Sequence, residues 1–294
     1  MRHSIIFLTL VLLSSCLRLD DNLYNSDNTI SEYKFDNYEG EVDFVLDTSY
    51  KIPENKFLMF TLTSDDEGDK AEIYAVYLGD TSTISEDTVI MYCHGNKDHM
   101  DFYWQRAKLL ANVGGNCHYG VMMIDYRGFG LSEGVTTESG LYADVNVSLN
   151  WLKNKGLTND RLVIYGFSLG SAPATEMSAE NYSMKPSKLI LESPFASAEV
   201  MVHDASSLAI PSSYFTNLKI DNAEKIKKVN QPFLWIHGVN DAFLAMETHG
   251  EIIYKNYNGE YSEAVRVDGA DHGDVPNTMG FVEYMTVIDN FIKK

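Results

Sequence analysis

Leu162-Val163-Ile164-Tyr165-Gly166-Phe167-Ser168-Leu169-Gly170-Ser171-Ala172 decides how the rest of this 294-residue chain is read. Its first four residues form a continuous apolar run, the pattern of a strand covered on both faces. Gly166 and Gly170 then bracket Ser168, and Ser171-Ala172 continue with small side chains. A strand that turns sharply into a helix strains the turning residue and crowds its neighbours, so positions without a Cβ are needed beside it. Such a turn lifts the Ser168 hydroxyl above the end of the sheet. Ser168 taken alone is also an acceptable helix N-cap. Its place between an apolar run and a helix favours the sharp turn.

Outward from this stretch, four more short apolar runs stand out: Val89-Ile90-Met91-Tyr92, Val121-Met122-Met123-Ile124, Leu189-Ile190-Leu191 and Phe233-Leu234-Trp235-Ile236. They do not alternate with polar residues, as expected of parallel strands buried on both sides. Helical patterns separate them. Leu141, Val145, Leu149 and Leu152 fall on one helical face, and Phe102, Arg106, Leu109, Leu110 and Val113 form a weaker stripe. Alternating units of this kind predict an α/β fold with a mostly parallel, doubly wound sheet. Residues 56–63 and 71–78 predict an antiparallel N-terminal strand pair joined by the acidic turn 64–69. Residues 263–267 predict a last strand and 278–294 a closing amphipathic helix. One domain over residues 56–294 follows, with no room for a large cap domain; a short lid fits in the connection 196–217.

Composition narrows the function. With 45% hydrophobic and 22% charged residues the chain is an ordinary packed protein, not a disordered or disulfide-stapled one. Forty-two acidic residues against 23 basic ones give a net charge of −19, which repels phosphate backbones and anionic lipid. Nucleic acid is therefore not expected as a partner, and no CxxC or His-rich pattern suggests a metal or other cofactor. The first 15 residues read as an export signal, with Arg2 and His3 before a short apolar run too brief to span a bilayer. Leu13-Ser14-Ser15-Cys16 resembles the lipobox of bacterial lipoproteins, which implies lipidation of Cys16 and attachment to the cell envelope. Residues 17–30, rich in Asp, Asn and Ser, read as a flexible tether, with the N-terminal extension continuing to residue 55. Cys93 and Cys117 read as free thiols, although spacing alone leaves a disulfide open.

In open parallel sheets the chemistry collects beyond the carboxyl ends of the strands. A serine hydroxyl is a poor nucleophile until a base takes its proton, and the base needs an acid to orient it. After Phe233–Ile236 comes His237-Gly238-Val239-Asn240-Asp241, and after the last strand comes Asp268-Gly269-Ala270-Asp271-His272-Gly273. Ser168, Asp241 and His272 thus follow one another, each just past a strand. Asp268 and Asp271 compete with Asp241; Asp271, adjacent to His272, cannot easily reach around to its ring. Of the remaining histidines, His94 and His237 sit at strand exits before Gly, where packing roles are expected. The charge developing on the substrate oxygen needs donors: the N–H of Leu169, and that of Asn96 in Cys93-His94-Gly95-Asn96. His94, Gly95 and Phe195 are pocket candidates, as are Phe102, Tyr103 and Trp104.

Together these segments resemble a family. His94-Gly95-Asn96, Asp125-Tyr126-Arg127-Gly128-Phe129-Gly130-Leu131-Ser132-Glu133-Gly134, the Ser168 pentapeptide, Glu192-Ser193-Pro194-Phe195, His237-Gly238 with Asp241, and Gly269-Ala270 with His272 occur in order. This set is similar to the serine α/β-hydrolases, in particular the alpha/beta-hydrolase-domain-containing type. The resemblance implies the α/β-hydrolase fold, Ser168 as nucleophile, Asp241 as acid, His272 as base, and Asn96 with Leu169 at the oxyanion. It implies structural turn roles for Asp125 and Arg127. The expected function is cleavage of an ester, thioester or amide through an acyl-enzyme. The alternative from another class is a surface binding protein that keeps the fold without the chemistry.

Overall fold

The computed structural model describes residues 24–201 and 218–294. The expected signal segment, Cys16 and most of the connection expected to form a lid lie outside the described residues. Eight strands form one sheet: β1 Phe57–Asp66, β2 Asp69–Leu78, β3 Val89–Cys93, β4 Gly120–Ile124, β5 Leu162–Phe167, β6 Lys188–Glu192, β7 Phe233–Gly238 and β8 Ser262–Val267. Their spatial order is β1-β2-β4-β3-β5-β6-β7-β8. β1 pairs antiparallel with β2, and β2 antiparallel with β4; every later pairing is parallel.

The continuous apolar runs are explained by burial on both faces. β3, β4, β5 and β7 are buried at every position, and β6 at all but Lys188. Along β5 the side chains alternate between two cores. Leu162 and Ile164 pack with the stripe Leu141, Val145, Leu149 and Leu152 of α2 (Glu138–Asn154) and with Ala172, Ala174 and Met177 of α3 (Ser171–Ala179). Val163 and Tyr165 face the other way, towards Leu109 and Leu110 of α1 (Met100–Ala111) and Tyr284, Ile288 and Phe291 of the last helix. Helices on both faces fill the two layers that a twice-buried sheet demands. No helix among the described residues is long and apolar enough to cross a membrane.

Three features depart from expectation. The acidic turn is shorter than its composition suggests: Asp66 pairs with Asp69, so only Glu67 and Gly68 connect the hairpin. Both have positive φ, 52° and 102°, the backbone of a two-residue primed turn. The strand ladder thus extends into residues whose polarity reads as loop. At the other end, the closing helix is split into Val275–Met279 and Phe281–Lys293 by Gly280, whose φ of 89° interrupts the helical path.

The third departure is the N-terminal arm. A loose connection to about residue 30 is expected from composition, yet from Tyr24 onward the chain is tied to the domain. The Tyr33 hydroxyl donates to Asp125 Oδ2 at 2.6 Å, and the Asp101 carboxylate accepts the N–H groups of Lys34 and Phe35. Trp104 Nε1 donates to Asp36, and Phe44, Leu46 and Ile52 are buried in the core beneath α1. None of these contacts is local in sequence, which is why no periodicity announces them. Cys93 and Cys117 are both buried and free, and burial pushes the Cys93 thiol well above its ordinary range.

Candidate active site

Ser168 opens a short 3-10 turn where β5 gives way to α3, with φ at 50°. A positive φ at a non-glycine residue is strained and persists only where the surroundings enforce it. The two bracketing glycines show how. A Cβ on Gly170 would lie 1.9 Å from the Cys93 carbonyl oxygen at the end of β3, and one on Gly166 would lie 2.6 Å from the Gly170 carbonyl oxygen. Strand, turn and helix are thereby pressed together, and the serine is turned out towards a cavity.

Two other strand ends complete the arrangement. Ser168 Oγ lies 2.9 Å from His272 Nε2, and His272 Nδ1 lies 2.8 Å from Asp241 Oδ2. The turn after β7 aims the acid: Asp241 Oδ1 accepts the backbone N–H groups of Phe243 and Leu244 at 3.0 and 2.7 Å, leaving Oδ2 for the imidazole. The turn after β8 aims the imidazole, with Asp271 Oδ1 accepting the N–H of Ala242 and of His272. Asp271 therefore staples the two turns together without approaching the ring. Phe167 and Phe243 flank the His272 ring at 5.3 and 5.1 Å between centroids.

A second imidazole shares the acid. His237 is wholly buried, and its Nε2 lies 3.2 Å from Asp241 Oδ2 and 2.9 Å from the Leu244 carbonyl oxygen. Trp235 Nε1 donates to His237 Nδ1, so the ring proton resides on Nε2 and points at those acceptors. Burial alone would raise the Asp241 carboxyl. The hydrogen bonds from His237, His272 and the Leu244 N–H outweigh burial and hold it well below the usual carboxylate range.

A cavity of about 350 Å³ opens in front of Ser168. Leu169 and Asn96, the expected oxyanion residues, both line it, as do Phe102, Tyr103 and Phe195. Its other walls are mostly apolar: Phe167, Met201, Leu218, Ile220, Phe243 and Leu244. Three expected pocket residues are elsewhere. His94 is buried between the rings of Tyr103 and Tyr126, 3.2 Å from Asp125, and braces the turn after β4. Gly95 is a contact point, since a Cβ there would meet Tyr103 Oη at 2.8 Å. Trp104, one helical step from Tyr103, faces the arm and packs on Phe35 and Phe57. Asp125 and Arg127 hold turns: Arg127 is buried on Asp144, and Asp125 accepts from Tyr33.

Sequence reasoning missed one group behind the site. Arg106, read as part of a helical stripe, is a buried cation whose Nη1 meets Glu192 Oε1 at 2.5 Å, while Nη2 reaches the Gly273 carbonyl at 2.8 Å and Asp43 at 3.2 Å. Its guanidinium stacks 4.1 Å from the Phe167 ring centre. It therefore touches the residue before Ser168, the residue after His272, and the arm. Tyr165 and Tyr284 both donate to Glu192 Oε2, satisfying the buried carboxylate. An isolated arginine in an apolar helical pattern, with a glutamate ending a strand, was the available signal.

The chain's likeness to known proteins agrees with this architecture. The family described as serine aminopeptidase, S33, matches residues 85–230. An Acanthamoeba polyphaga mimivirus protein described as an alpha/beta hydrolase is 30% identical over 204 residues, which cover 69% of this chain and 73% of that one. Human alpha/beta hydrolase domain-containing protein 17B is 28% identical over 63% of this chain, and the matched part spans 60% of the human protein. Among solved structures, the Pyrococcus furiosus esterase Pf2001 superposes with a TM-score of 0.66 at 15% identity, covering 92% of this chain and 98% of its own. An esterase from Exiguobacterium antarcticum gives 0.60 at 17% identity over 81% of this chain and 100% of its own. The chain belongs to the α/β-hydrolase superfamily.

Proposed function

We propose that this protein is a serine hydrolase that cleaves an ester, thioester or amide through an acyl-enzyme on Ser168. The observation that carries the reading is the unbroken chain of short contacts from Ser168 Oγ to His272 Nε2 and from His272 Nδ1 to Asp241. In the first step His272 takes the hydroxyl proton as Ser168 Oγ bonds to the carbonyl carbon. The oxyanion so formed is met by the N–H groups of Leu169 and Asn96. The leaving group departs with the proton from His272, and water, activated by the same imidazole, then releases the acid and restores Ser168. The apolar walls supplied by Phe102, Phe195, Ile220 and Leu244 support an acyl group as the part of the substrate that is buried.

A fluorophosphonate probe tests the assignment. Wild-type protein labels on Ser168, and Ser168→Ala neither labels nor turns over p-nitrophenyl esters above background, a loss of roughly 10⁴-fold or more. Unlabelled Ser168 in folded protein returns the chain to the binding-protein reading, and turnover that survives Ser168→Ala removes Ser168 as the nucleophile. Export and attachment through lipidated Cys16 are part of the same proposal. They predict incorporation of labelled palmitate that Cys16→Ala abolishes, read by gel fluorography.

A further inference from the structure

The loop that carries Asn96 is not free-standing. Asn25 N–H donates to Asn96 Oδ1 at 2.8 Å, and Asp98 N–H donates to the Asn25 carbonyl at 3.1 Å. Asp27 N–H returns the bond to the Asp98 carbonyl at 3.1 Å, so that Ser26 and Asp98 form an isolated parallel bridge. The far end of this strap is fastened independently, because Gly130 N–H donates to the Asp27 carbonyl and the Asp27 carboxylate caps the N–H and hydroxyl of Thr29. Asp98 itself has a φ of 47°, a conformation that needs outside support at a non-glycine position. Tyr24 and Asn25 also line the cavity in front of Ser168.

We infer that residues Tyr24 to Asp27 act as a strap that positions the oxyanion loop, with Asn25 as the positioning residue and its backbone N–H as the operative group. The inference rests on the serine-hydrolase reading for its catalytic consequence, and on the hydrogen bonds alone for the clamp. A donor that meets charge only in the transition state changes kcat when misplaced and leaves substrate binding largely alone. A displacement of about 1 Å at such a group can cost about 10²-fold.

Because the bond is made by main chain, two substitutions at one position separate its effect from that of the side chain. In the full-length protein, Asn25→Pro deletes the N–H and lowers kcat on p-nitrophenyl esters by about 10- to 10²-fold with KM nearly constant. Asn25→Ala keeps the N–H, so its kcat exceeds that of Asn25→Pro by about tenfold whatever the lost side chain costs. Amide hydrogen exchange supplies a second readout that needs no activity: deleting residues 24–29 strips protection from the Asp98 amide while the β5 amides stay protected. Full kcat in both Asn25→Pro and the deletion variant would overturn the positioning role, and unchanged exchange at Asp98 would overturn the clamp. A wild-type Ser168 that takes no fluorophosphonate overturns the hydrolase reading and the catalytic half of this inference, while the exchange result still decides on the clamp.

Discussion

Two regions of the molecule meet at the cavity, and they are built by different means. On one side, the turns after β5, β7 and β8 deliver Ser168, Asp241 and His272, each within five residues of its own strand end. On the other, an arm with only short 3-10 turns brings Tyr24, Asn25 and Asp43 to the same cavity from far along the chain. Strand-end geometry is cheap to specify: a twice-buried strand fixes its own end, and a few glycines and turn residues do the rest. The arm is held by bonds whose partners lie tens of residues away, so its placement depends on the finished domain. Arg106 belongs to both regions, touching Asp43 of the arm and Gly273 beside His272.

The largest effect expected within this comparison belongs to the strand-end side. Asp241→Asn keeps the shape of the turn but removes the charge that orients His272. The expected loss in kcat/KM is about 10²–10⁴-fold, measured on the same esters as the Ser168 variant. A loss under tenfold would mean that the flanking rings of Phe167 and Phe243 suffice to hold the imidazole.

Next in size is the residue shared by the two regions. Arg106→Met leaves Glu192 buried with its tyrosine donors but no cation, and unfastens both Gly273 and Asp43. Removing one partner of a buried pair typically costs about 3–5 kcal/mol, to be read from urea midpoints. A variant as stable as wild type would show that the tyrosines alone satisfy Glu192.

The smallest effect sets two carboxylates near His272 against each other. Asp241 has its carboxyl held below the ordinary range, whereas burial pushes Asp43 up despite the opposing pull of Arg106. A depressed carboxyl stabilises the fold above its unfolded value, and that stability drains away as the pH falls towards the folded value. A raised carboxyl does the reverse, because the folded state then holds a proton more tightly than the unfolded one. Between about pH 5 and 3, Asp241→Asn should therefore flatten the acid loss of stability by about 1 kcal/mol, and Asp43→Asn should steepen it. Urea midpoints across that range decide the sign for each.

Much of this could be read without coordinates. Five apolar runs gave five buried strands within a residue or two of their ends, because uninterrupted β-branched and aliphatic residues can be satisfied only between two layers of helices. Ser168, Asp241 and His272 were legible for a related reason: turn chemistry is local, and each follows a strand whose end is visible. The carboxylate that meets the His272 ring at 2.8 Å is that of Asp241, while the Asp271 carboxylate is engaged by backbone N–H groups. What was illegible lies on the arm side. Composition reads residues 24–30 as a tether and Arg106 as a stripe member, and although a packing role is expected of His94, its partners Tyr103 and Tyr126 are set by other elements.

The amino-acid order by itself settled the sheet, its two helical layers and the positions at which reactive side chains emerge, since hydrophobic period and turn residues act over a few neighbours. Tertiary structure alone decided which polar groups are paired out of water. It seats a guanidinium between the His272 loop and the arm, and ties residues 24–27 to the loop of Asn96. Those pairings join segments of up to 167 residues' separation, and no local pattern records them.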